Sequence, residues 1–326
     1  MTSRKIVILG TGGTIAGRAA SVSDNIGYTA AQVGIEQLLS AIPDIAGTGP
    51  LVSEQVAQID SKDMSFAVWA QLAARVNHFL AQADVQGIVI AHGTDTLEET
   101  AYFLQSVCRP AKPVVLTCAM RPATALMPDG PQNMLDAISV ARHAGAQGVM
   151  AVCAGIIHSA FDVQKVHTYQ MNAFSSGDAG PLGYVEEGKL RILRNWPIVQ
   201  EVRDSIAINS LAKLAKPESC PRVEIIMSYT GASGAIVQAL TAQGVHGLVV
   251  AATGNGTLHY ALEEALLQAQ QAGVSVVRAT RCANGKVLST PGNMIPDSSG
   301  LSPVKARIAL VLELLGQGGV IEPCKG

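Results

Sequence analysis

Residues 87–100 restrict the possible folds of this chain more than any other stretch. They read Gly-Ile-Val-Ile-Ala-His-Gly-Thr-Asp-Thr-Leu-Glu-Glu-Thr, an apolar run too short for a helix, then a glycine and a polar turn. The pattern predicts a buried parallel strand, a tight turn, and a helix that begins at Leu97. Polar residues after such a strand lie where open α/β sheets bind ligands, although a helix cap alone would also explain them.

Strand and helix patterns alternate along the first half of the chain. Strands are predicted at 5–9, 55–59, 87–91, 113–118 and 148–153, and helices at 33–41, 66–79, 97–107 and 133–143. From residue 154 the alternation stops, and 156–160 and 184–193 have hairpin patterns. These elements predict an α/β domain with a mostly parallel sheet, helices on both faces and a β-hairpin extension.

Residues 197–221 carry three prolines and no clear period, which is typical of a linker. After it, strands are predicted at 223–227, 247–252 and 274–279, and helices at 234–243, 260–272 and 303–315. The predicted organisation is a larger N-terminal domain, 1–196, and a smaller C-terminal parallel α/β domain, 222–326.

Composition excludes several classes of protein. Hydrophobic residues make up 48% and charged residues 15%, which predicts a large buried core, yet no apolar stretch approaches the roughly 20 residues of a membrane span. The net charge of −2, without a basic stripe, argues against nucleic acid as a partner. The N-terminus lacks the apolar run of a signal peptide. The six scattered cysteines are typical of reduced thiols, so we expect a cytoplasmic protein without a structural zinc site.

Three predicted strand ends carry hydroxyl and charged side chains. Thr14 follows the first strand, Ser61-Lys62-Asp63 the second, and Thr94-Asp95 the third. If these strands are neighbours, the three loops converge on one crevice, which a ligand explains better than chance. A dinucleotide site is disfavoured because the sixth position of the glycine fingerprint is Ile15, and no Gly-Lys-Ser/Thr of a P-loop is present.

Residues 11–17, Thr-Gly-Gly-Thr-Ile-Ala-Gly, and residues 92–100, His-Gly-Thr-Asp-Thr-Leu-Glu-Glu-Thr, resemble the two signature motifs of the bacterial L-asparaginases. The similarity continues through 63–64, 119–122, 129–131, 181–184 and 254–256, and so spans nearly the whole chain. The resemblance implies hydrolysis of asparagine to aspartate and ammonia without a metal or organic cofactor. It also implies a homotetramer, built as a dimer of dimers with sites at subunit contacts.

The resemblance also implies roles for particular residues. Thr14 corresponds to the nucleophile, Tyr28 to a tyrosine on a loop that closes over the site, and Thr94, Asp95 and Lys165 to a second catalytic cluster. The implied substrate-binding residues are Gly13, Ser61, Lys62, Gly93, Thr94, Asp95 and Asn255. Each also has an ordinary alternative: a helix cap for Thr14, a surface-loop residue for Tyr28 and a solvated lysine for Lys165.

The residue types do not decide which group takes the proton from the nucleophilic threonine. A threonine hydroxyl needs a base to become a nucleophile. Lys165 can be that base only if its surroundings disfavour the ammonium form, and Asp95 beside it would favour that form. The phenol of Tyr28 could relay the proton instead. Backbone amides of the glycine-rich turn or of Thr94 would stabilise the oxyanion, a contribution of about 3 kcal/mol per donor.

Two departures from the family pattern bear on affinity. Lys62 stands where the family usually has Gln, and it could either bind the substrate carboxylate or point to solvent. The tightest-binding relatives use a glutamate donated by the neighbouring subunit, whereas here the only acidic residue of 283–299 is Asp297. We therefore expect a weaker or broader amidase.

Two further interpretations stay open. One is the asparaginase-like subunit of the tRNA amidotransferase, which is disfavoured because that subunit has an extra N-terminal domain. The other is a non-catalytic amino-acid-binding or regulatory protein, against which the five implied catalytic residues argue.

His92 is expected to be a core or supporting histidine rather than a catalytic one, and Arg121 is expected to hold the loop that follows it. By the same resemblance, Cys108 matches a position that is disulfide-bonded in some family members. No cysteine occurs near Gln82, where the partner would be expected.

Overall fold

The first half of the chain folds around one eight-stranded sheet. This computed structural model describes residues 4–42, 45, 49–108, 110–197, 211, 213–216, 219–288 and 292–316. The chain divides into two units, 1–202 and 203–326. Most of the predicted linker, 197–221, lies outside the described residues, so the domain boundaries stay a prediction.

The described part of the first unit contains ten strands, and eight of them form one mixed sheet of five parallel and three antiparallel members. The first-unit strands are β1 (Lys5–Gly12), β2 (Leu51–Ile59), β3 (Val85–Ala91), β4 (Pro113–Thr117), β5 (Gly148–Cys153), β6 (Ile156–Ser159), β7 (Gln164–Lys165), β8 (Phe174–Ser175), β9 (Gly183–Glu186) and β10 (Lys189–Ile192). The order in the large sheet is β10-β9-β6-β5-β4-β3-β1-β2, with β7 and β8 forming a separate pair. Strands β2, β1, β3, β4 and β5 are parallel, and the remaining three are antiparallel.

The direction of strand order reverses between β1 and β3. Chain connections leave β1 toward β2 on one side, whereas β3, β4 and β5 follow on the other side. The carboxyl ends of β1 and β3 therefore flank the switch point, where open α/β sheets form a ligand crevice. Thr14 follows β1 and Thr94 follows β3, so the predicted site falls at this point.

Helices cover the sheet. The first-unit helices are α1 (Ile35–Ser40), α2 (Phe66–Leu80), α3 (Leu97–Cys108) and α4 (Gly130–Arg142). Buried residues of α1 and α4 share one core with alternate residues of β1 and β3. Helices α2 and α3 pack together through Trp69 and Phe103, whose stacked rings have centroids 4.8 Å apart. The alternation read from the sequence is thus confirmed as an α/β layer structure.

The predicted hairpin extension is present as β9 and β10. Glu187 and Gly188 between them have φ of 50° and 71°. Two successive left-handed residues make the tight turn that joins antiparallel strands without distorting their twist.

The second unit contains a three-stranded parallel sheet. Its elements are β11 (Val223–Met227), α5 (Ala235–Ala242), β12 (Gly247–Ala252), α6 (Tyr260–Gln271), β13 (Ser275–Thr280) and α7 (Pro303–Gly316). Strand β12 lies in the centre, and its six residues are all buried. None of the described helices is both long enough and apolar enough to cross a membrane.

Some element limits differ from the predicted ones for identifiable reasons. Strand β1 continues to Gly12 rather than ending at residue 9, because it stays paired with β2 through a register shift. Helix α1 begins at Ile35 rather than 33, where the Gln55 side chain accepts a hydrogen bond from the Ile35 amide. Helix α4 begins at Gly130, with Pro131 in its first turn, where proline is favoured.

Candidate active site

The loops that follow β1, β2 and β3 are in direct contact. A Cβ atom added to Gly13 would lie 2.3 Å from the Cα of Gly93. One added to Gly93 would lie 2.4 Å from the Oγ of Ser61. Only glycine allows this approach, because any side chain would force the backbones apart. The two motifs that define the resemblance thus touch each other at their glycines.

The first threonine of the site is bonded to a tyrosine. Thr14 follows Gly13, whose φ is 83°, and begins a short 3₁₀ turn that is buried. The Thr14 Oγ1 and the Tyr28 hydroxyl are 2.7 Å apart. Tyr28 is carried by a loop whose ends are joined by two backbone hydrogen bonds between Arg18 and Thr29. Either hydroxyl can donate, so the pair can pass a proton in either direction.

The second threonine of the site is bonded to a lysine. The Lys165 Nζ donates to the Thr94 Oγ1 at 2.8 Å and to the Asp95 Oδ1 at 2.6 Å. Lys165 belongs to the two-residue strand β7, which pairs with β8. Its side chain is 18% exposed, whereas that of Asp95 is 52% exposed. The ammonium therefore favours negative charge on the Thr94 oxygen.

Ser61 ties the β2 loop to the second motif. Its Oγ accepts a hydrogen bond from the Asp95 amide at 3.1 Å, and its carbonyl accepts one from the Thr96 hydroxyl at 2.8 Å. The side chain is 2% exposed. These two bonds fix the Ser61 hydroxyl beside Asp95.

Lys62 and Asn255 have other partners. The Lys62 ammonium lies 2.7 Å from Asp63 and 3.3 Å from Asp60, and its side chain is 62% exposed. The hydrogen bond with Asp63, and to a smaller extent that with Asp60, raises the pKa of Lys62. In the second unit, the Asn255 amide donates to the Leu288 carbonyl and accepts from the Leu288 amide. Both side chains thus hold their own loops.

Arg121 also holds a loop, as expected. Its guanidinium donates to the Met127 carbonyl at 3.3 Å, and its amide donates to Asp129 at 3.0 Å. Asp129 in turn accepts from the Met120 amide. The segment after β4 is therefore closed on itself by backbone and side-chain hydrogen bonds.

A buried chain of side chains lies behind the second motif, and the sequence did not identify it. The Trp69 Nε1 donates to the Thr100 Oγ1 at 2.8 Å, and the Thr100 Oγ1 lies 2.9 Å from the His92 Nε2. The His92 Nδ1 lies 2.7 Å from the Gly93 carbonyl oxygen. Burial lowers the pKa of His92 to about 4, so the imidazole is neutral at pH 7. Only the position of His92 in the motif could have signalled this chain.

The cysteines and acidic residues show no sign of a metal centre within the described part of the chain. No group of three or more His, Cys, Asp or Glu there is arranged to hold a metal ion. Cys118 and Cys153 lie side by side at the ends of β4 and β5, with 3.3 Å between their sulfur atoms, and both are free thiols. Cys108 is likewise free.

Comparison with known proteins identifies the family. Two family profiles, "Asparaginase, N-terminal" and "Glutaminase/Asparaginase C-terminal domain", match residues 5–198 and 222–322. L-asparaginase 2 of Bacillus subtilis is 38% identical over 316 residues, which is 95% of this chain and 82% of that protein. The glutaminase-asparaginase of Pseudomonas fluorescens is 38% identical over 320 residues, 95% of this chain and 86% of that protein.

A solved structure agrees. The crystal structure of a probable cytoplasmic L-asparaginase from Campylobacter jejuni aligns with a TM-score of 0.88 and 37% identity, covering 95% of both chains. These matches define an asparaginase-type amidohydrolase. The chain belongs to the asparaginase family, as the two motifs predict.

Proposed function

We propose that this protein hydrolyses the side-chain amide of L-asparagine to L-aspartate and ammonia, with Thr14 as the nucleophile and an aspartyl ester as the intermediate. One observation carries the proposal. Two threonine hydroxyls on contacting loops each have their own proton-transfer or charge partner, Tyr28 for Thr14 and Lys165 for Thr94. The names of the relatives, L-asparaginase and glutaminase-asparaginase, support the same substrate class.

In the first step, the Thr14 oxygen attacks the amide carbon and its proton moves to the Tyr28 oxygen. Tyr28 gives its own proton to the leaving nitrogen, so that the C–N bond breaks and ammonia departs. The 2.7 Å separation of the two hydroxyls supports this relay. A relay through a positioned acid–base group is worth about 10²–10⁴ in rate.

The oxyanion formed in that step needs hydrogen-bond donors. The amides of Thr14 and Thr94 have no hydrogen-bond acceptor among the described residues. Thr94 is 6% exposed, so its N–H is largely shielded from water and available to a bound group. A preorganised donor of this kind stabilises a transition state by about 3 kcal/mol.

In the second step, water attacks the ester, and the water proton passes through the Thr94 hydroxyl to Asp95, whose Oδ1 lies 3.4 Å from the Thr94 Oγ1. The ester bond breaks as Thr14 takes a proton from Tyr28. The carboxylic acid that forms gives its proton back to Tyr28 as it ionises, and Asp95 releases its proton to solvent. Lys165 stabilises the charge that develops on Thr94 because it bonds both the Thr94 oxygen and Asp95. In this assignment Lys165 acts as an electrostatic group rather than as the base.

Ser61 and Asp95 suit the two charged groups of an α-amino acid. The Ser61 oxygen accepts from the Asp95 amide, which leaves its own proton for a substrate carboxylate. The Asp95 side chain is half exposed; its Oδ1 is bonded to Lys165, and its Oδ2 has no partner in the described part of the chain. It can accept from the substrate ammonium.

We also propose broad specificity and modest affinity. Lys62 is neutralised by Asp60 and Asp63, so it adds little attraction for the substrate carboxylate unless those pairs break. Asp297 uses its Oδ1 to accept from the Ser299 amide, as a turn residue does. A steady-state assay with L-Asn and L-Gln should give a KM well above the micromolar range and measurable turnover of both. A micromolar KM with strict preference for L-Asn would contradict this.

The same reading extends to assembly and location. We propose a homotetramer, a dimer of dimers in which Asn255 lies near a neighbouring subunit's site, and a cytoplasmic location. Six large apolar side chains of the second unit are half or more exposed, and contact with another copy would remove such side chains from water. They are Met227, Tyr229, Ile236, Tyr260, Leu288 and Met294.

Ammonia release from L-Asn by the purified protein tests the proposal. Thr14→Ala and Thr94→Ala should each lose activity by orders of magnitude while keeping their far-ultraviolet circular dichroism. Tyr28→Phe keeps the ring and removes the hydroxyl, and should lower kcat about 10²-fold or more. Wild-type turnover retained in Thr14→Ala would exclude Thr14 as the nucleophile, and an inactive wild type would favour a non-catalytic binding protein.

A further inference from the structure

We infer that His92 is a positioning residue for the reaction: it fixes the Gly93 carbonyl and thereby aims the Thr94 amide at the substrate oxygen. The inference rests on the proposed function, because it explains how one donor of the oxyanion site is held. Nothing in the reaction requires His92 to touch the substrate.

The direction of each hydrogen bond in the buried chain follows from the donors available. An indole N–H can only donate, so the Thr100 oxygen accepts from Trp69. The Gly93 carbonyl can only accept, so the His92 Nδ1 carries a proton. The neutral imidazole then has a bare Nε2, which accepts the Thr100 hydroxyl proton. One arrangement of protons therefore satisfies Trp69, Thr100, His92 and Gly93 together.

The Gly93 carbonyl governs the amide that follows it. In a trans peptide the C=O and the next N–H point in opposite directions. The Gly93 carbonyl points at the buried imidazole, so the Thr94 N–H points away from it. The amide makes no hydrogen bond with any described residue, which leaves it free for a substrate atom. Rotation of this peptide would break the bond to His92 and misdirect the donor.

Burial protects the hydrogen bonds of this chain of side chains from exchange with water. His92 and Thr100 are fully buried, and Trp69 is 4% exposed, so no water can replace a lost partner without a new cavity. The Trp69 ring is held in turn by stacking on Phe103. The rigidity of the α2–α3 pair is thus transmitted to one peptide of the active site.

Paired variants at His92 test this inference. His92→Leu removes the donor to Gly93 and should lower kcat for L-Asn by about 10²-fold, the effect of losing one oxyanion donor, with KM changed by less than about threefold. His92→Asn keeps an N–H at the Nδ1 position and should recover kcat to within about tenfold of wild type. The buried variant Val140→Ala, in α4 and away from the chain, controls for lost stability alone.

Variants at Thr100 give a milder test if His92→Leu fails to fold. Thr100→Val removes the hydroxyl and keeps the shape, and should lower kcat about tenfold. Thr100→Ser keeps the hydroxyl and should restore kcat to within about twofold. The tautomer can also be read without activity, because two-bond ¹H–¹⁵N correlation spectra should show the proton of His92 on Nδ1 at pH 7.

The outcomes separate this inference from the proposed function. An active wild type with unchanged kcat in both His92→Leu and Thr100→Val would overturn the role of His92 and leave the proposed function standing. A proton on Nε2 would also overturn it. An inactive wild type would overturn both. A fall in kcat matched by a similar fall in Val140→Ala would make the effect one of stability and exclude positioning.

Discussion

At the scale of single residues, the site depends on a few hydrogen bonds whose removal should affect activity more than stability. The Lys165–Asp95 ion pair is the clearest case, because the Asp95 side chain is half exposed. Pairs of this kind contribute about 1 kcal/mol or less to folding. The same ammonium contacts the Thr94 oxygen at 2.8 Å, where charge develops in the proposed second step.

Lys165→Met should therefore lower kcat by about 10²-fold or more while the free energy of unfolding changes by no more than about 1 kcal/mol. Ammonia release and urea unfolding measure the two quantities on the same preparation. Lys189→Met, which removes an exposed lysine of β10, is the matched control and should keep wild-type kcat. A Lys165→Met enzyme with kcat within threefold of wild type would remove Lys165 from the mechanism.

His92 should make the stability of the protein depend on pH. The pKa of the buried imidazole falls to about 4 because burial disfavours the cation, whereas in the unfolded chain it is about 6.5. Between these values the unfolded chain binds more protons, so the free energy of unfolding should decrease as the pH falls from 6.5 to 4. The contribution of His92 over this interval is about 3 kcal/mol.

Urea unfolding of wild type and His92→Asn at pH 7 and pH 4 measures this contribution, because asparagine does not titrate. The loss of stability between the two pH values should be smaller in His92→Asn by up to about 3 kcal/mol. Equal losses in the two proteins would mean that the His92 imidazole titrates as freely in the folded state as in the unfolded chain.

At the scale of elements, the site is assembled by the close approach of the loops after β1 and β3. Gly13 and Gly145 have the same φ of 83°, but the ψ of Gly13 is −170°, in a region essentially restricted to glycine, and only at Gly13 would a Cβ meet other atoms, those of the Gly93 backbone. Gly145 therefore reports the cost of a positive φ, whereas Gly13 adds the cost of its ψ and the cost of the contact. The contact is with backbone, which cannot move aside as a flexible side chain can.

Gly145→Ala should lower the free energy of unfolding by about 1–2 kcal/mol, the cost of the left-handed conformation alone. Gly13→Ala should cost about 1–3 kcal/mol more and abolish most activity, because alanine is strained at this ψ and because the two motifs are forced apart. Chemical denaturation and ammonia release measure both effects. Equal destabilisation by the two substitutions would show that the loops are not in the contact described above.

Short strands and edge strands are the elements that the sequence predicted least well. The central strands and α2, α3, α6 and α7 were predicted to within a few residues because their apolar runs are long and periodic. Strand β2 begins at Leu51, four residues before its predicted start, because it is the edge strand and its half-exposed residues carry no clear pattern. The pair β7–β8, which carries Lys165, has two residues in each strand and leaves no periodic signal.

The sequence predicted the site residues that directly follow a strand, but it could not predict the contacts between residues that are distant in the chain. Thr14, Ser61 and Thr94 each follow a parallel strand, and the structure brings their loops together. The chain from Trp69 to His92 joins two helices and a strand end, so no local pattern reveals it apart from the position of His92 in the second motif. Spacing alone left open whether Lys62 binds the substrate carboxylate or points to solvent, and its exposed pairing with Asp60 and Asp63 had no sequence signal.

At the scale of the whole molecule, the second unit presents large apolar side chains to solvent, with Tyr260 79% and Met294 73% exposed. Contact of these side chains with water is unfavourable, and burial against another copy would remove it. Sedimentation equilibrium should give a mass near four times the 33.8 kDa of one chain. A monomer across the micromolar range would exclude the proposed tetramer and any site that needs a neighbouring subunit.

The central claim is that the switch point of the first-unit sheet brings Thr14 to a bound amide as the nucleophile. Acid quenching of the enzyme during turnover of L-Asn, followed by trypsin and mass spectrometry, tests it most directly. The aspartyl ester should appear on peptide 6–18, which contains Thr14, and should be absent from Thr14→Ala. An ester on peptide 76–142, which contains Thr94, would contradict the account.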